Sequence, residues 1–168
     1  MKYFAIALVV FVASFATPSS ARQIGAFKDW SAHSEGKGEA QTCWMHSEPF
    51  KDEGKYTKRG RIYMLITHRP GEKVSNQVQF TAGYTFKQGS AVQVVIGEKT
   101  FELFTNRDTA WARSTEDDRN IVAAMRAGAS MIVTGISSRG TKTKDTYSLS
   151  GVTAAHNAIG KTCGVSWV

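Results

Sequence analysis

Two cysteines are all that this 168-residue chain contains, and past its first sixteen residues no stretch is long and apolar enough to cross a bilayer. Metal-ligand spacing is missing too. His33, His46, His68 and His156 are scattered, and two cysteines add little to them, so no metal site is expected. No Gly-x-Ser-x-Gly elbow offers a serine nucleophile, and no Gly-x-x-x-x-Gly-Lys-Ser/Thr loop offers a nucleotide-phosphate cradle. Carboxylates adjoin at Asp52-Glu53 and Asp117-Asp118. Neighbours in a strand point apart, and acids in the first turn of a helix are accounted for by its dipole. There is no internal repeat, low-complexity tract or second domain. These absences leave no catalytic residue and no cofactor to name.

What is present begins with an export signal. Lys2 opens the chain, an apolar run follows from Tyr3 through Ala13 and resumes at Phe15-Ala16, and Pro18 breaks it before Ser19-Ser20-Ala21. Charged start, apolar middle and small-residue exit are the parts of a secretory signal, and the run is too short for a spanning helix. Residues 1–21 are therefore expected to be removed, leaving 22–168 as one domain in the periplasm or at the cell surface. No cysteine ends the signal, which argues against a lipoprotein anchor. Membrane association is expected to be peripheral at most.

In that oxidising compartment Cys43 and Cys163 are most simply one structural disulfide, since a redox pair would more often share one turn. Lys2 is the one charge in the first 21 residues, so the +7 of the whole chain becomes +6 after processing. That excess favours anionic partners at the envelope or a host surface, and nucleic acid is a poor fit for an exported protein.

The dominant periodicity is two. Val78, Phe80 and Ala82 alternate with polar residues, as do Val92, Val94 and Ile96, while Ile62–Ile66 is continuously apolar and is expected to be a central strand covered on both sides. Gly97-Glu98 and Arg139-Gly140 mark hairpins. Further strands are expected around Phe27–His33, Thr42–His46 and Ala110–Arg113, making roughly nine. One helix is expected to be capped by Thr115 and ended by a left-handed Gly128, and a second to run from Thr153 to Ile159 and stop at Gly160. Pro49–Gly60 has the composition of a mobile loop. Many short strands with turns between them predict an antiparallel sandwich or barrel. An outer-membrane barrel is disfavoured by short strands, two helices and the cysteines. Trp30, Trp44 and Trp111 are expected in or near the core, and Trp167 at an exposed terminus.

The most suggestive surface feature is the run Lys55, Tyr56, Lys58, Arg59 and Arg61, whose cations could contact an anionic partner. Arg139, Lys142 and Lys144 form a second basic patch at a hairpin tip.

From Phe27-Lys28-Asp29-Trp30 to Cys163-Gly164 the chain resembles the invasion associated locus B family of alphaproteobacterial envelope proteins. The resemblance is carried by Gly83–Ser90 (GYTFKQGS), Ile121–Ser130 (IVAAMRAGAS) and Ser138–Gly151 (SRGTKTKDTYSLSG). Lys28 departs from the glycine expected before Asp-Trp. The resemblance implies a mostly β, immunoglobulin-like antiparallel β-sandwich with two short helices. It brings no catalytic residues and no cofactor, and its namesake supports entry of a pathogen into red blood cells. The expected function is a non-enzymatic binding protein of the envelope, with Lys55, Lys58, Arg59 and Arg61 as the anion contacts. An envelope-glycan hydrolase or lyase using carboxylates distant in sequence is the alternative.

Overall fold

The alternation read from the sequence becomes the two faces of a sheet. In the computed structural model, which describes residues 21–166, Val78 stands opposite Ile66 and Phe80 opposite Met64, all four fully buried. Residues 1–20 of the expected 1–21 signal segment, and Trp167, lie outside the described residues.

Eleven strands and two helices make up the described chain: β1 (Arg22–Phe27), β2 (Trp30–Glu35), β3 (Thr42–Ser47), β4 (Lys51–Gly54), β5 (Tyr63–Arg69), β6 (Val74–Thr81), β7 (Ala91–Ile96), β8 (Lys99–Asn106), β9 (Thr109–Trp111), α1 (Thr115–Ala127), β10 (Ser130–Ile136), β11 (Lys142–Ser148) and α2 (Val152–Cys163). All pairing is antiparallel, in the order β1-β2-β3-β5-β6-β9-β8-β7-β10-β11-β4. Hydrogen bonding runs through all eleven strands, so the mostly β architecture with two helices is the expected one, while its two halves are joined through β9 and β8 rather than being separate sheets. The sheet bends back on itself. The Trp30 indole donates to Ser148 O (3.0 Å) and Asp29 N to Ser150 O (3.3 Å), bringing the start of β2 against the end of β11, and Phe50 N donates to Thr146 O (3.0 Å) where the chain enters β4. One apolar core fills the interior, with α2 packed on β1, β2, β3 and β5 and α1 on β6 and β8.

Several local expectations are corrected. The strand expected across Phe27–His33 is a hairpin: Lys28 turns the chain at φ +56°, so β1 and β2 pair with each other. Pro49–Gly60 is not simply a loop, because Lys51–Gly54 forms the edge strand β4 on β11. These two hairpin and edge strands raise the expected nine to eleven. Strand β5 is central in pairing, between β3 and β6, but Tyr63 and Leu65 on its outer face are only half-buried. Ser114, not Thr115, caps α1, its Oγ accepting from Asp117 N at 3.1 Å. Gly128 ends that helix in an extended conformation (φ −89°) and is needed for room: a Cβ there would lie 2.6 Å from the Ile96 side chain. Helix α2 begins one residue early and continues through buried Gly160 to Cys163, turning at Gly164 with φ +64°. Trp30 is fully buried in the core, whereas Trp44 and Trp111 are half-buried on the outer face.

Cys43 of β3 and Cys163 at the end of α2 are joined in a disulfide, with Cα atoms 6.1 Å apart across 120 residues of sequence. The bridge pins the last turn of α2 to the sheet.

Candidate functional site

Between β4 and β5 the chain crosses from a sheet edge to the sheet's centre, and residues 55–60 cover that gap. Composition alone made this stretch mobile; Arg59 holds it down. Its Nη1 and Nη2 donate to Asp145 Oδ1 and Oδ2 at 2.6 and 2.7 Å, and its Nε donates to Ala82 O at 2.6 Å. The side chains of Arg59 and Asp145 are 3% and 0% exposed. Burial pushes the Asp145 carboxyl up while the guanidinium draws it back down. The two-pronged geometry is that of an ionised pair.

Two tyrosines complete the anchor. The Arg59 guanidinium lies 4.9 Å from the Tyr84 ring centre and 5.5 Å from that of Tyr56, both cation–π distances. Tyr56 donates to Asp52 on β4, and the Tyr84 hydroxyl shares a 2.6 Å hydrogen bond with Thr143 on β11. Gly60 N donates to Gly83 O at 2.8 Å. A Cβ on Gly83, whose φ is +70°, would sit 2.4 Å from Gly60 O, so only glycine permits this approach.

The anchored loop forms one wall of a cleft of about 630 Å³. The turn between β10 and β11 and the segment Gly83-Tyr84-Thr85 form the others. Lys55, Lys58 and Arg139 line it with the hydroxyls of Thr57, Thr85 and Ser138, and its lining holds no carboxylate and no histidine. The sequence placed Arg139 in a separate patch; the fold puts it opposite Lys55. Of the four cations expected to contact a partner, the structure brings Lys55 and Lys58 to the cleft and buries Arg59 beneath it as its anchor. Arg61 faces a neighbouring hollow and pairs with Glu48 at 2.6 Å on the open surface.

The nearest carboxylates are committed, Asp145 to Arg59 and Asp52 to Tyr56, and no acid pair faces the cleft across a gap. The histidines lie elsewhere. His33 stacks on Trp44 and His46 on the outer sheet face, while His68 and His156 are buried between α2 and the sheet. Among the described residues no group of three His, Cys, Asp or Glu could hold a metal ion.

Two of the three segments that carry the family resemblance, Gly83–Ser90 and Ser138–Gly151, supply cleft walls and Asp145 beneath them. The model of the invasion associated locus B (IalB) protein family matches residues 30–160. The chain belongs to the IalB family. Its fold is similar to the crystal structure of invasion associated protein B from Bartonella henselae, with a TM-score of 0.55 and 16% sequence identity over 82% of this chain and 96% of that one. Comparison with curated proteins finds no significant match. Lys28, before the matched residues, sits at positive φ, where glycine is unstrained.

Proposed function

We propose that this IalB-family protein is an exported, non-enzymatic binding protein of the bacterial envelope, and that the basic cleft between residues 55–60 and the β10–β11 turn takes an anionic partner. The carrying observation is the lining itself: Lys55, Lys58 and Arg139 converge on one concavity in which no carboxylate opposes them. Clefts of this size commonly hold small ligands or the head of a larger one. Export is supported by the composition of residues 1–21 and by the disulfide, which suits an oxidising compartment. The family's name refers to invasion, and a part in invasion for this chain rests on that membership alone. The hydrolase alternative has no support in the cleft, because the carboxylates near it are bound to Arg59 and Tyr56.

The test is a triple variant, Lys55→Ser, Lys58→Ser and Arg139→Ser, compared with the unaltered protein for retention on isolated envelopes at rising salt. Retention should fall at low salt and lose its salt dependence, because the attraction to an anionic partner is screened. Equal retention of both proteins at low salt would remove the cleft from the binding surface. Mass spectrometry of the envelope-derived protein should find its first residue at Arg22, and an intact Met1 would count against export by signal cleavage.

A further inference from the structure

Resting on the cleft as the anion site, we infer that the ligand is a linear anionic glycan, a chain of acidic sugars, held in a trough formed by the cleft and two hollows that adjoin it. The cleft does not end at Arg139. A second hollow of about 680 Å³ shares Lys55, Arg139 and Thr141 with it and extends to Gly54, Gly140 and Lys142. A third, of about 630 Å³ and lined from β4, β11, β10, β7 and β8, shares Gly54 and Lys142 with the second and continues to Lys144 and Thr134. Shared lining residues place the three depressions side by side around the end of β4 and the β10–β11 turn, and a trough joining them is part of the inference.

Charge follows the same path. Lys58, Lys55, Arg139 and Lys142 succeed one another with no ion-pair partner among the described residues. Carboxylates appear only in the third hollow, and both are ion-paired: Glu53 with Lys51 at 2.9 Å and Lys144 at 3.7 Å, and Glu102 with Arg113 at 2.7 Å. A compact anion would use one hollow and leave the rest of this series idle. A flat lipid surface would not enter three adjoining hollows. A chain of acidic sugars matches both features, with negative charge repeated along its length and hydroxyls between the charges for Thr57, Ser138, Thr141 and Thr134.

The experiment is an NMR titration of the exported protein with galacturonic acid, its trimer and tetramer, neutral maltotetraose and linear tetraphosphate. The tetramer should bind at least tenfold more tightly than the monomer, and maltotetraose should not bind. Lys142→Ser, outside the first cleft, should remove most of the tetramer's gain, weakening the tetramer by a larger factor than the monomer. The triple cleft variant should abolish both. Equal affinities for monomer and tetramer, or no effect of Lys142→Ser, would overturn the trough while leaving the anion cleft standing. Tetraphosphate binding as tightly as the sugar tetramer would overturn the glycan. No response to any anion would overturn the cleft as well. Binding to isolated bacterial envelopes that tetragalacturonate displaces places the glycan in the organism's own envelope; displaceable binding to eukaryotic cell surfaces alone places it on a host.

Discussion

Arg59 and the two lysines near it are nearly interchangeable in composition, and burial separates their roles. Lys55 and Lys58 are exposed, so replacing either with serine should change stability by no more than about 0.5 kcal/mol, as for most surface positions. Arg59→Ser would leave the Asp145 carboxylate buried without its partner, and breaking such a pair costs about 3–5 kcal/mol. Chemical denaturation of the two kinds of variant checks this, and equal stabilities would contradict the buried anchor. Lys28 carries the opposite sign. A non-glycine residue in the left-handed region is strained by roughly 1–2 kcal/mol, partly offset by the entropy glycine loses on folding. Lys28→Gly should therefore stabilise the protein by up to about 1 kcal/mol, and a lowered melting temperature would show that the Lys28 side chain contributes more than its strain removes.

Helix α2 rests on a buried polar seam that the apolar pattern did not announce. Asn76, at φ +58° on β6, donates its N–H to His68 Nδ1 at 3.0 Å, and its Oδ1 lies 2.7 Å from His156 Nε2. Arg126 of α1 reaches His156 Nδ1 at 2.9 Å, which fixes the ring as a neutral acceptor on that side. Burial pushes both histidines down to about 4, with the neighbouring charge of Arg126 also acting on His156. Unfolded histidine titrates near 6.5, so the unfolded chain takes up these protons first. Stability is then complete above about pH 6.5 and falls as pH drops towards 4, by about 1.4 kcal/mol per unit for each ring. Asp118 acts in the other direction: it accepts from Val78 N at 2.8 Å, and burial raises its carboxyl to about 6, so the folded chain gains that proton first. Asp145, which burial also raises, sides with Asp118, whereas His46, lowered by burial, and Glu53, lowered by its bond to Lys51, side with the two rings, so acidification brings a net loss. Denaturant melts between pH 7 and 4.5 should show it, and replacing His68 and His156 with Gln should remove most of the slope; an unchanged slope would assign it to other groups.

At the scale of the whole molecule, the disulfide closes a loop of 120 residues, nearly the whole described chain. The chain-entropy treatment gives about 4–5 kcal/mol for a closure of this length. Replacing Cys43 and Cys163 with Ser should lower the melting temperature by several degrees for each kcal/mol lost. An unchanged melting temperature would mean that the packing of α2 already provides the restraint. The strands, the two helices and the cysteine pairing were legible in the sequence because each rests on a local signal or, for the cysteines, on having a single possible partner. The β1–β2 hairpin was not, since its turn uses Lys28 where turn chemistry leads one to look for glycine. Nor was the edge strand β4, whose Lys51-Asp52-Glu53-Gly54 carries no apolar face to alternate. The candidate site was half-legible: its lysines stood out by charge, but Arg59 looked like one of them. Local order along the chain determined the helices, the strands with an apolar alternation and the basic character of the loop. Only the tertiary structure decided which cations face solvent, because Asp145 lies 86 residues from Arg59 and burial is a property of what folds over a side chain.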